Sequence, residues 1–392
     1  MGIEVHLDSV LAEAVGLGAS DVHLKLGRPP LVRRDGEVSE LGLPPLTEDD
    51  LEAFLVTLTA GAAPRLEHFR VAGDLDIAYM AAGLPRFRVN AFRQRGATSM
   101  AFRVIPNTVP RFTDLGLPPA VEKLAQEHRG LVLVTGATGS GKTTTLAAML
   151  DHINRTRRSH IVTIEDPIEI LHADHKSIVN QREVGIDTES FGEALRRALR
   201  QDPDTIMIGE LRDAETAQTA LQAAESGHLV FSTLHTIDAA ETLGRMIEFF
   251  PETKQQAIRS IMAAVVRGVI SQRLLPRVGG GRVAVVEAMV MNARIADLIR
   301  EGRPDEITDA IAEGEFFGMQ TFEKALIERV VSGDLEREVA ADAASNRHDF
   351  VVALDRELKR QAAQARADVP DSEEPEHGAA DHSGLRVARP LA

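Results

Sequence analysis

The 392-residue sequence contains no cysteine and no tryptophan, and it has a single tyrosine. Without cysteine the chain can form no disulfide, no thiolate zinc site and no thiol nucleophile. Aromatic residues make up 4% of the sequence, so few side chains could stack on the bases of a single-stranded nucleic acid. These absences exclude cysteine chemistry and argue against a single-strand binding protein.

Basic residues are also scarce relative to acidic ones. The chain has 44 Lys and Arg against 59 Asp and Glu, and its formal net charge is −15. Proteins that bind nucleic acid usually concentrate basic residues on one surface. We therefore expect no nucleic acid partner, although a basic channel inside an oligomer is an alternative that the net charge does not exclude.

Long apolar segments are absent as well. The start of the chain has no basic stretch followed by an apolar one, and no segment reaches the roughly 18 apolar residues of a membrane span. The short apolar run at residues 283–291 includes Glu287 and is typical of a buried strand. The length and composition predict a cytoplasmic protein of two or three domains.

The first 106 residues alternate short helical and strand patterns. A helical pattern covers residues 46–58, where Thr47 is a favourable N-cap. Strand patterns lie at residues 31–38, where Asp-Gly marks a hairpin turn, and at residues 87–92 and 100–105. These patterns predict a small α+β domain over residues 1–106.

Four prolines between residues 106 and 119 predict an extended linker over residues 107–119. Beyond it, apolar strand patterns alternate with helical ones, which predicts a parallel sheet covered by helices on both faces. These strand patterns lie at residues 131–134, 161–164, 205–208 and 229–232. Helical patterns then continue to residue 361, and residues 362–392 have the composition of a disordered tail.

A complete phosphate-binding loop follows the first of these strands and precedes a helical pattern, as the Walker A motif requires. The loop consists of Gly136, Ala137, Thr138, Gly139, Ser140, Gly141, Lys142 and Thr143. Its glycines allow backbone N–H groups to surround phosphates at the positive end of a helix dipole. Lys142 would bridge the β- and γ-phosphates, and Thr143 would ligate Mg²⁺. The motif predicts an enzyme that binds ATP with Mg²⁺ and hydrolyses it.

Carboxylates follow two other predicted strands. Glu210 comes just after the apolar run 205–208, as in a Walker B strand, where a carboxylate can hold Mg²⁺ or its water shell. Glu165, Asp166 and Glu169 follow the strand at 161–164. Because like charges at this spacing repel, one interpretation is a solvated turn. The other is that a divalent cation and an attacking water account for the cluster.

Two histidines, His228 and His235, flank the fourth strand. A separation of seven residues across a strand is poor spacing for metal ligands. A buried or hydrogen-bonded histidine is the ordinary interpretation. A third interpretation is a sensor that contacts the γ-phosphate or a neighbouring active site.

In this order the motifs resemble the secretion ATPase superfamily, and within it the type IV pilus retraction ATPases. The matching segments are the Walker A loop, residues 165–169 as the family's aspartate box, 200–213 as its Walker B box and 227–236 as its histidine box. Shorter matches lie at residues 19–24, 86–90, 257–260, 268–274 and 318–321. The resemblance covers about residues 5–355.

The resemblance implies an α/β fold with a PAS-like α+β N-terminal domain, a RecA-like P-loop core over residues 120–300 and a helical C-terminal region over residues 301–361. It also implies a homo-hexameric ring that turns ATP hydrolysis into motion. The ring would lie at the inner face of the cell membrane and act on a platform protein of the pilus, with the extension ATPase as a further candidate partner.

The resemblance also implies roles for individual residues. Glu169 would polarise the attacking water and Glu210 would hold Mg²⁺. Arg88 and Arg103 would reach the phosphates when the N-terminal domain closes, in the manner of arginine fingers. His228 and His235 belong to the histidine box.

Two features bear on the subfamily. Extension and type II secretion ATPases commonly carry a tetracysteine zinc segment and an additional N-terminal domain, and neither feature is expected here, which favours retraction. However, residues 294–299 keep the apolar positions of the retraction box Ala-Ile-Arg-Asn-Leu-Ile and change its polar ones. The change leaves open an accessory ATPase that modulates another motor, and a nucleic-acid translocase is a third alternative.

Overall fold

The computed structural model describes residues 5–34, 36–60, 63–106 and 108–367. Two β-sheets organise them, one within residues 21–105 and the other within residues 130–290. Within these described residues, no helix combines the length and the apolar character that crossing a membrane requires.

The first sheet has six antiparallel strands in the order β3-β2-β1-β6-β5-β4. The strands are β1 (Asp21–Lys25), β2 (Leu31–Arg34), β3 (Glu37–Glu40), β4 (Asp74–Tyr79), β5 (Arg86–Gln94) and β6 (Ala97–Ile105). Three helices accompany them, namely α1 (Leu7–Gly16), α2 (Glu48–Leu58) and α3 (Ala63–Ala72). Phe87 and Phe102 meet edge to face at the centre of the core, with ring centroids 6.3 Å apart.

Local sequence explains several of these elements. The hydroxyl of Thr47 accepts a hydrogen bond from the backbone N–H of Asp50, and the carboxylate of Asp50 accepts one from Thr47 N–H, so α2 begins at a capping box. The helix predicted at residues 46–58 and the strands at 87–92 and 100–105 are confirmed. The predicted hairpin at 31–38 is present as β2 paired with β3, and Asp35 at its turn lies outside the described residues.

The second sheet has seven strands in the order β13-β12-β7-β11-β10-β8-β9. They are β7 (Gly130–Thr135), β8 (His160–Glu165), β9 (Ile178–Glu183), β10 (Thr205–Ile208), β11 (Leu229–Leu234), β12 (Val266–Pro276) and β13 (Arg282–Val290). All neighbours are parallel except β12 and β13, which pair antiparallel at one edge. The four strands predicted here are confirmed, as is the buried strand at 283–291.

Helices cover both faces of this sheet, as predicted. They are α4 (Phe112–Leu115), α5 (Pro119–Ala125), α6 (Lys142–Thr156), α7 (Phe191–Ala198), α8 (Ala214–Glu225), α9 (Ala239–Glu248) and α10 (Glu252–Val265). Leu131 and Leu133 of β7 pack with α8 and α10, whereas Val132 and Val134 pack with α5 and α6. Alternate residues of a strand point to opposite faces, so the apolar run of β7 contributes to two separate cores.

Two expectations about the connecting and terminal segments need correction. The segment 107–119 is not extended throughout, because α4 forms within it and Asp114 accepts a hydrogen bond from the backbone N–H of Arg111. At the other end, the last helix continues to Ala367, because residues 362–367 are good helix formers with no Gly or Pro among them. Residues 368–392 of the predicted disordered tail lie outside the described residues.

The C-terminal part is helical, as the pattern predicted. Its helices are α11 (Ala293–Glu301), α12 (Ile307–Ala312), α13 (Phe322–Val331), α14 (Arg337–Ala343) and α15 (Arg347–Ala367), with 3-10 turns at Pro304–Glu306 and Glu315–Phe317. Helices α13 to α15 pack on β13 through a small apolar core.

Candidate active site

The phosphate-binding loop joins β7 to α6 at the carboxyl edge of the parallel strands. Gly136 and Gly141 have φ values of 138° and 92°. A Cβ atom on Gly136 would lie 2.3 Å from the carbonyl oxygen of Gln272, and one on Gly141 would lie 2.7 Å from its side-chain nitrogen. Only glycine fits both positions, so the loop curls tightly against β12 and leaves its backbone N–H groups at the start of α6.

Lys142 supplies the positive charge of this loop. Its Nζ donates hydrogen bonds to the carbonyl oxygens of Gly136 at 2.7 Å and Ala137 at 3.0 Å. Burial lowers the pKa of Lys142, and the charges of Glu210 and Glu169 oppose that shift. The buried hydroxyl of Ser140 makes no hydrogen bond within the described residues. A glycine cradle, a partly desolvated cation and an unpartnered hydroxyl together fit a phosphate ligand.

Glu210 lies just past β10 and contacts two basic side chains. Its Oε2 accepts a hydrogen bond from Nε of Arg212 at 2.8 Å, and its Oε1 lies 3.2 Å from Nε2 of His235. Nη1 of Arg212 is also 3.9 Å from Oδ2 of Asp166. Acidic residues that follow two different strands are thus brought together with a guanidinium between them, which reduces their mutual repulsion.

The carboxylates at the end of β8 and in the turn after it have different environments. Glu165 is buried and accepts hydrogen bonds from Oγ1 of Thr163 at 2.6 Å and Nε2 of Gln181 at 3.0 Å. Burial raises the pKa of Glu165, and these two hydrogen bonds oppose the shift. Glu169 is exposed and faces the same cavity as the phosphate-binding loop. Glu165 is thus held by hydrogen bonds inside the protein, whereas Glu169 is accessible to a water molecule.

A cavity of about 460 Å³ gathers most of the predicted site residues. Those that line it are Thr138, Gly139, Gly141, Lys142, Thr143, Glu169, Glu210 and His235. The same cavity is lined by Arg212 and Asp166, so the Walker A, Walker B, aspartate and histidine motifs share one space.

His228 is not part of this space. It precedes β11, whereas His235 follows it, so the two histidines lie at opposite ends of this strand. Nδ1 of His228 is 3.0 Å from the carbonyl oxygen of Ala223 and 3.1 Å from Oγ of Ser226. The structure therefore does not bring His228 to the cavity of its own chain, because a strand of six residues separates it from His235.

Arg88 and Arg103 also stand apart from the cavity of the phosphate-binding loop. They are cross-strand partners on β5 and β6. Nε of Arg103 donates to Oδ1 of Asp21 at 2.9 Å, and its side chain is 69% exposed. Arg88 lines a smaller cavity of about 160 Å³ between the two sheets, together with Asp166 and Pro167. A role at the phosphates would therefore require the N-terminal sheet to move.

Two further residues, Arg212 and Gln272, shape the site and were not predicted to have a role there. Arg212 binds Glu210, and an arginine two positions after a Walker B carboxylate was a signal available in the sequence. Gln272 lies on β12, and its Oε1 accepts a hydrogen bond from Oγ1 of Thr145 on α6 at 2.7 Å. No local pattern identifies Gln272, because its contacts depend on how β12 pairs with β7.

Comparisons with known proteins agree with this geometry. Residues 2–281 match the family described as type II/IV secretion system protein. The chain is 44% identical over 344 residues to the type IV pilus retraction ATPase PilT of Pseudomonas aeruginosa, covering 88% of this chain and 99% of that protein. It is 41% identical over 318 residues to a twitching motility protein of Neisseria gonorrhoeae, covering 81% and 84% of the two chains.

A solved structure is similar throughout. The crystal structure of the pilus retraction motor PilT with bound ADP matches with a TM-score of 0.82 and 44% identity, covering 88% of this chain and 98% of that one. This likeness confirms the predicted fold class, an α/β RecA-like P-loop core with a PAS-like α+β N-terminal part and a helical C-terminal region.

Proposed function

Because this chain belongs to the type II/IV secretion system protein family, we propose that it is an ATPase motor that drives the retraction of type IV pili and hence twitching motility. The observation that carries the proposal is the complete phosphate-binding loop in a chain that matches PilT over nearly its whole length. The proposed domains are an N-terminal domain over residues 1–106, an ATPase domain over residues 120–300 and a helical region over residues 301–361. Residues 107–119 form the linker between the first two.

The reaction is the hydrolysis of ATP to ADP and phosphate. Backbone N–H groups of the loop and the ammonium of Lys142 bind the phosphates, and Glu169 orients and polarises the water that attacks the γ-phosphorus. The bond to the β–γ bridging oxygen breaks, and Lys142 stabilises the charge that develops there. Thr143 and Glu210 are the residues that would hold Mg²⁺, which supplies Lewis-acid stabilisation of the phosphate oxygens.

His235 is proposed to act as the sensor of the γ-phosphate. Its ring nitrogen lies 3.2 Å from Glu210, so a change in the charge around Glu210 alters the hydrogen bonding of the histidine directly. His235 is followed along the chain by α9, and through that connection the state of the nucleotide can reach the surface of the core.

Arg88 and Arg103 are proposed to complete the site when the N-terminal sheet closes. Their guanidiniums carry charge that the loop itself does not supply, and planar guanidiniums bind phosphate oxygens well. Closure during each cycle of hydrolysis would turn the reaction into movement of one domain against the other.

We propose that six copies form a closed ring at the inner face of the cell membrane, where the ring acts on the pilus platform protein and alternates with the extension ATPase. In a ring, each subunit can contribute side chains to the site of its neighbour. His228, at the end of β11 opposite to the phosphate-binding loop, is available for such a contact. Light scattering with saturating ATP and Mg²⁺ tests this, since a mass corresponding only to the monomer would contradict it.

The function is tested by deleting the gene and scoring surface pili and twitching. The proposal expects cells that keep or gain surface pili and lose twitching, and wild-type protein should restore both. Loss of surface pili would contradict retraction, because it is the result expected for an extension motor.

The same gene deletion distinguishes a retraction motor from an accessory ATPase that modulates another motor. In α11 two of the altered positions are exposed, where Arg294 pairs with Glu313 and Asp297 with Arg300, whereas the third, Ala296, is buried. The apolar residues Ile295 and Leu298 are buried as in an ordinary amphipathic helix. This arrangement preserves the ATPase core while altering a surface, so an accessory protein would leave twitching reduced but present after deletion.

A further inference from the structure

A buried ion pair joins the N-terminal sheet to the ATPase core. Nη2 of Arg86, at the start of β5, lies 2.6 Å from Oε2 of Glu183, at the end of β9. The two side chains are only 19% and 8% exposed. In the surface pair formed by Arg28 and Glu40, by contrast, the side chains are 56% and 49% exposed. The Arg86–Glu183 pair is thus largely withdrawn from water, where a charge–charge contact is strong and depends on its geometry.

The carboxylate of Glu183 also binds the segment that carries Glu169, the residue proposed to polarise the attacking water. The same oxygen, Oε2, accepts a hydrogen bond from the backbone N–H of Ile168 at 3.2 Å. Ile168 immediately precedes Glu169, and Glu183 is the strand partner of Glu165. One carboxylate therefore connects β5, β9 and the turn from which Glu169 reaches the cavity.

The geometry of β5 extends this connection to Arg88. Side chains two residues apart on a strand lie on the same face, separated by about 6.6 Å along it. Arg86 and Arg88 therefore share a face of β5, opposite the buried Phe87. Arg88 lines the small cavity between the sheets with Asp166 and Pro167 of the same turn. The contact between Arg86 and Glu183 therefore limits how far Arg88 can move away from this turn.

We propose that Arg86 and Glu183 are a positioning pair, which forms the pivot about which the N-terminal sheet closes and which holds the turn that carries Glu169. This inference rests on the proposed function, since it concerns the same ATPase site. Neither residue lines the cavity of the phosphate-binding loop. Their effect is to limit how far Arg88 moves relative to Glu169 as the sheet closes.

A double-mutant cycle tests the pair, in which the ATPase kinetics of Arg86→Gln, Glu183→Gln and the double variant are compared with those of wild type. The amide of Glu183→Gln can still accept from Ile168 N–H but no longer neutralises Arg86, which then lies buried without a counter-charge. We expect each single variant to lower kcat about tenfold and to change KM for ATP less than about threefold, because the loop still binds the nucleotide. The double variant should be no slower than the worse single one, and Arg86→Lys should recover part of the rate.

Glu40→Gln is the matched control, since it removes an exposed ion pair of the same sheet and should leave kcat unchanged. Wild-type kcat in both single variants, or losses that multiply in the double variant, would overturn the proposal.

A distance measurement tests the pivot without any need for ATP hydrolysis. Because the chain has no cysteine, Met80→Cys places a label just past β4 and Ile178→Cys places one on β9, at side chains that are 69% and 60% exposed. Pulsed EPR on full-length chains, diluted with unlabelled protein, should give a narrow distance distribution that broadens when Glu183→Gln is added. An unchanged distribution would overturn the pivot. A chain that hydrolyses no ATP but shows the broadening would contradict the proposed function and leave the pivot standing.

Discussion

Oε1 of Glu210 lies 3.2 Å from Nε2 of His235, although the two residues are far apart in the sequence. They come together because β10 and β11 are parallel neighbours, paired from Thr205↔Leu229 to Ile208↔Ser232. Both residues follow their strands at the carboxyl edge of the sheet. The parallel register therefore brings the Walker B carboxylate and the second histidine of the histidine box to the same cavity, where either can respond to a change at the other.

Lys142→Ala is expected to abolish ATP hydrolysis, with kcat falling at least about 100-fold. The ammonium is held at the loop by the carbonyl oxygens of Gly136 and Ala137, and the variant removes the cation that the loop contributes to the phosphates. Phosphate release measures the rate. Lys25→Ala, which removes an exposed lysine of β1, is the control. Near-normal turnover in Lys142→Ala would remove the assignment of the phosphate-binding loop.

Glu210→Gln should lower kcat by at least about 100-fold while leaving the melting temperature nearly unchanged. The side chain is 20% exposed and contacts polar groups, not the apolar core, so the substitution alters the charge at the cavity more than the packing. Glu338→Gln on the exposed face of α14 is the control. If Glu210→Gln instead unfolds near room temperature, the carboxylate is structural.

Arg88→Ala and Arg103→Ala should each lower kcat, by up to about 10³-fold, with a much smaller change in nucleotide affinity. Substitution by Lys should restore only part of the rate, since an ammonium lacks the planar fork of a guanidinium. Asp21→Asn removes the charge of Asp21, the ion-pair partner of Arg103, without removing the arginine, and it should behave like wild type. Wild-type kcat in both Ala variants would leave the two arginines as surface charges.

Glu287→Gln should change how stability depends on pH. Burial raises the pKa of Glu287 from 4.5 to about 7, and a hydrogen bond from the backbone N–H of Ala239 opposes the shift. The folded chain therefore keeps a proton that the unfolded chain releases, and this group makes the protein less stable as pH rises from about 4.5 to about 7.

Above that window the cost is about 3 kcal/mol, so Glu287→Gln should be more stable than wild type at pH 8 and similar to it at pH 4. Denaturant unfolding at both values measures the difference, with Glu40→Gln as the control. An identical pH dependence in wild type and Glu287→Gln would show that Glu287 ionises as freely as an exposed carboxylate.

The sequence predicted strands whose burial is either uniform or regularly alternating. Strands β7 and β11 are buried at every position, so their apolar runs stand out from the surrounding residues. Strand β9 was not predicted, because it lies at the edge of the sheet and mixes exposed and half-buried positions. An edge strand has one neighbour, and its sequence carries a weaker signal.

Among the site residues, those that follow a strand of the parallel sheet could be predicted from the sequence, and those brought in by the packing of the two sheets could not. Glu169, Glu210 and His235 follow strands of one parallel sheet, and such positions meet at one edge. His228 precedes its strand, which is enough to direct it to the opposite edge. Arg86 and Glu183 are 97 residues apart on different sheets, and only the packing of the two sheets reveals their contact.

Retraction itself is measured most directly by filming fluorescently labelled pili on cells whose chromosomal copy carries Lys142→Ala. If the ATPase drives retraction, these cells will extend pili that persist on the surface and do not shorten, while cells with Lys25→Ala will retract them at the wild-type speed. Pili that still retract at the wild-type speed in the Lys142→Ala cells would contradict the account.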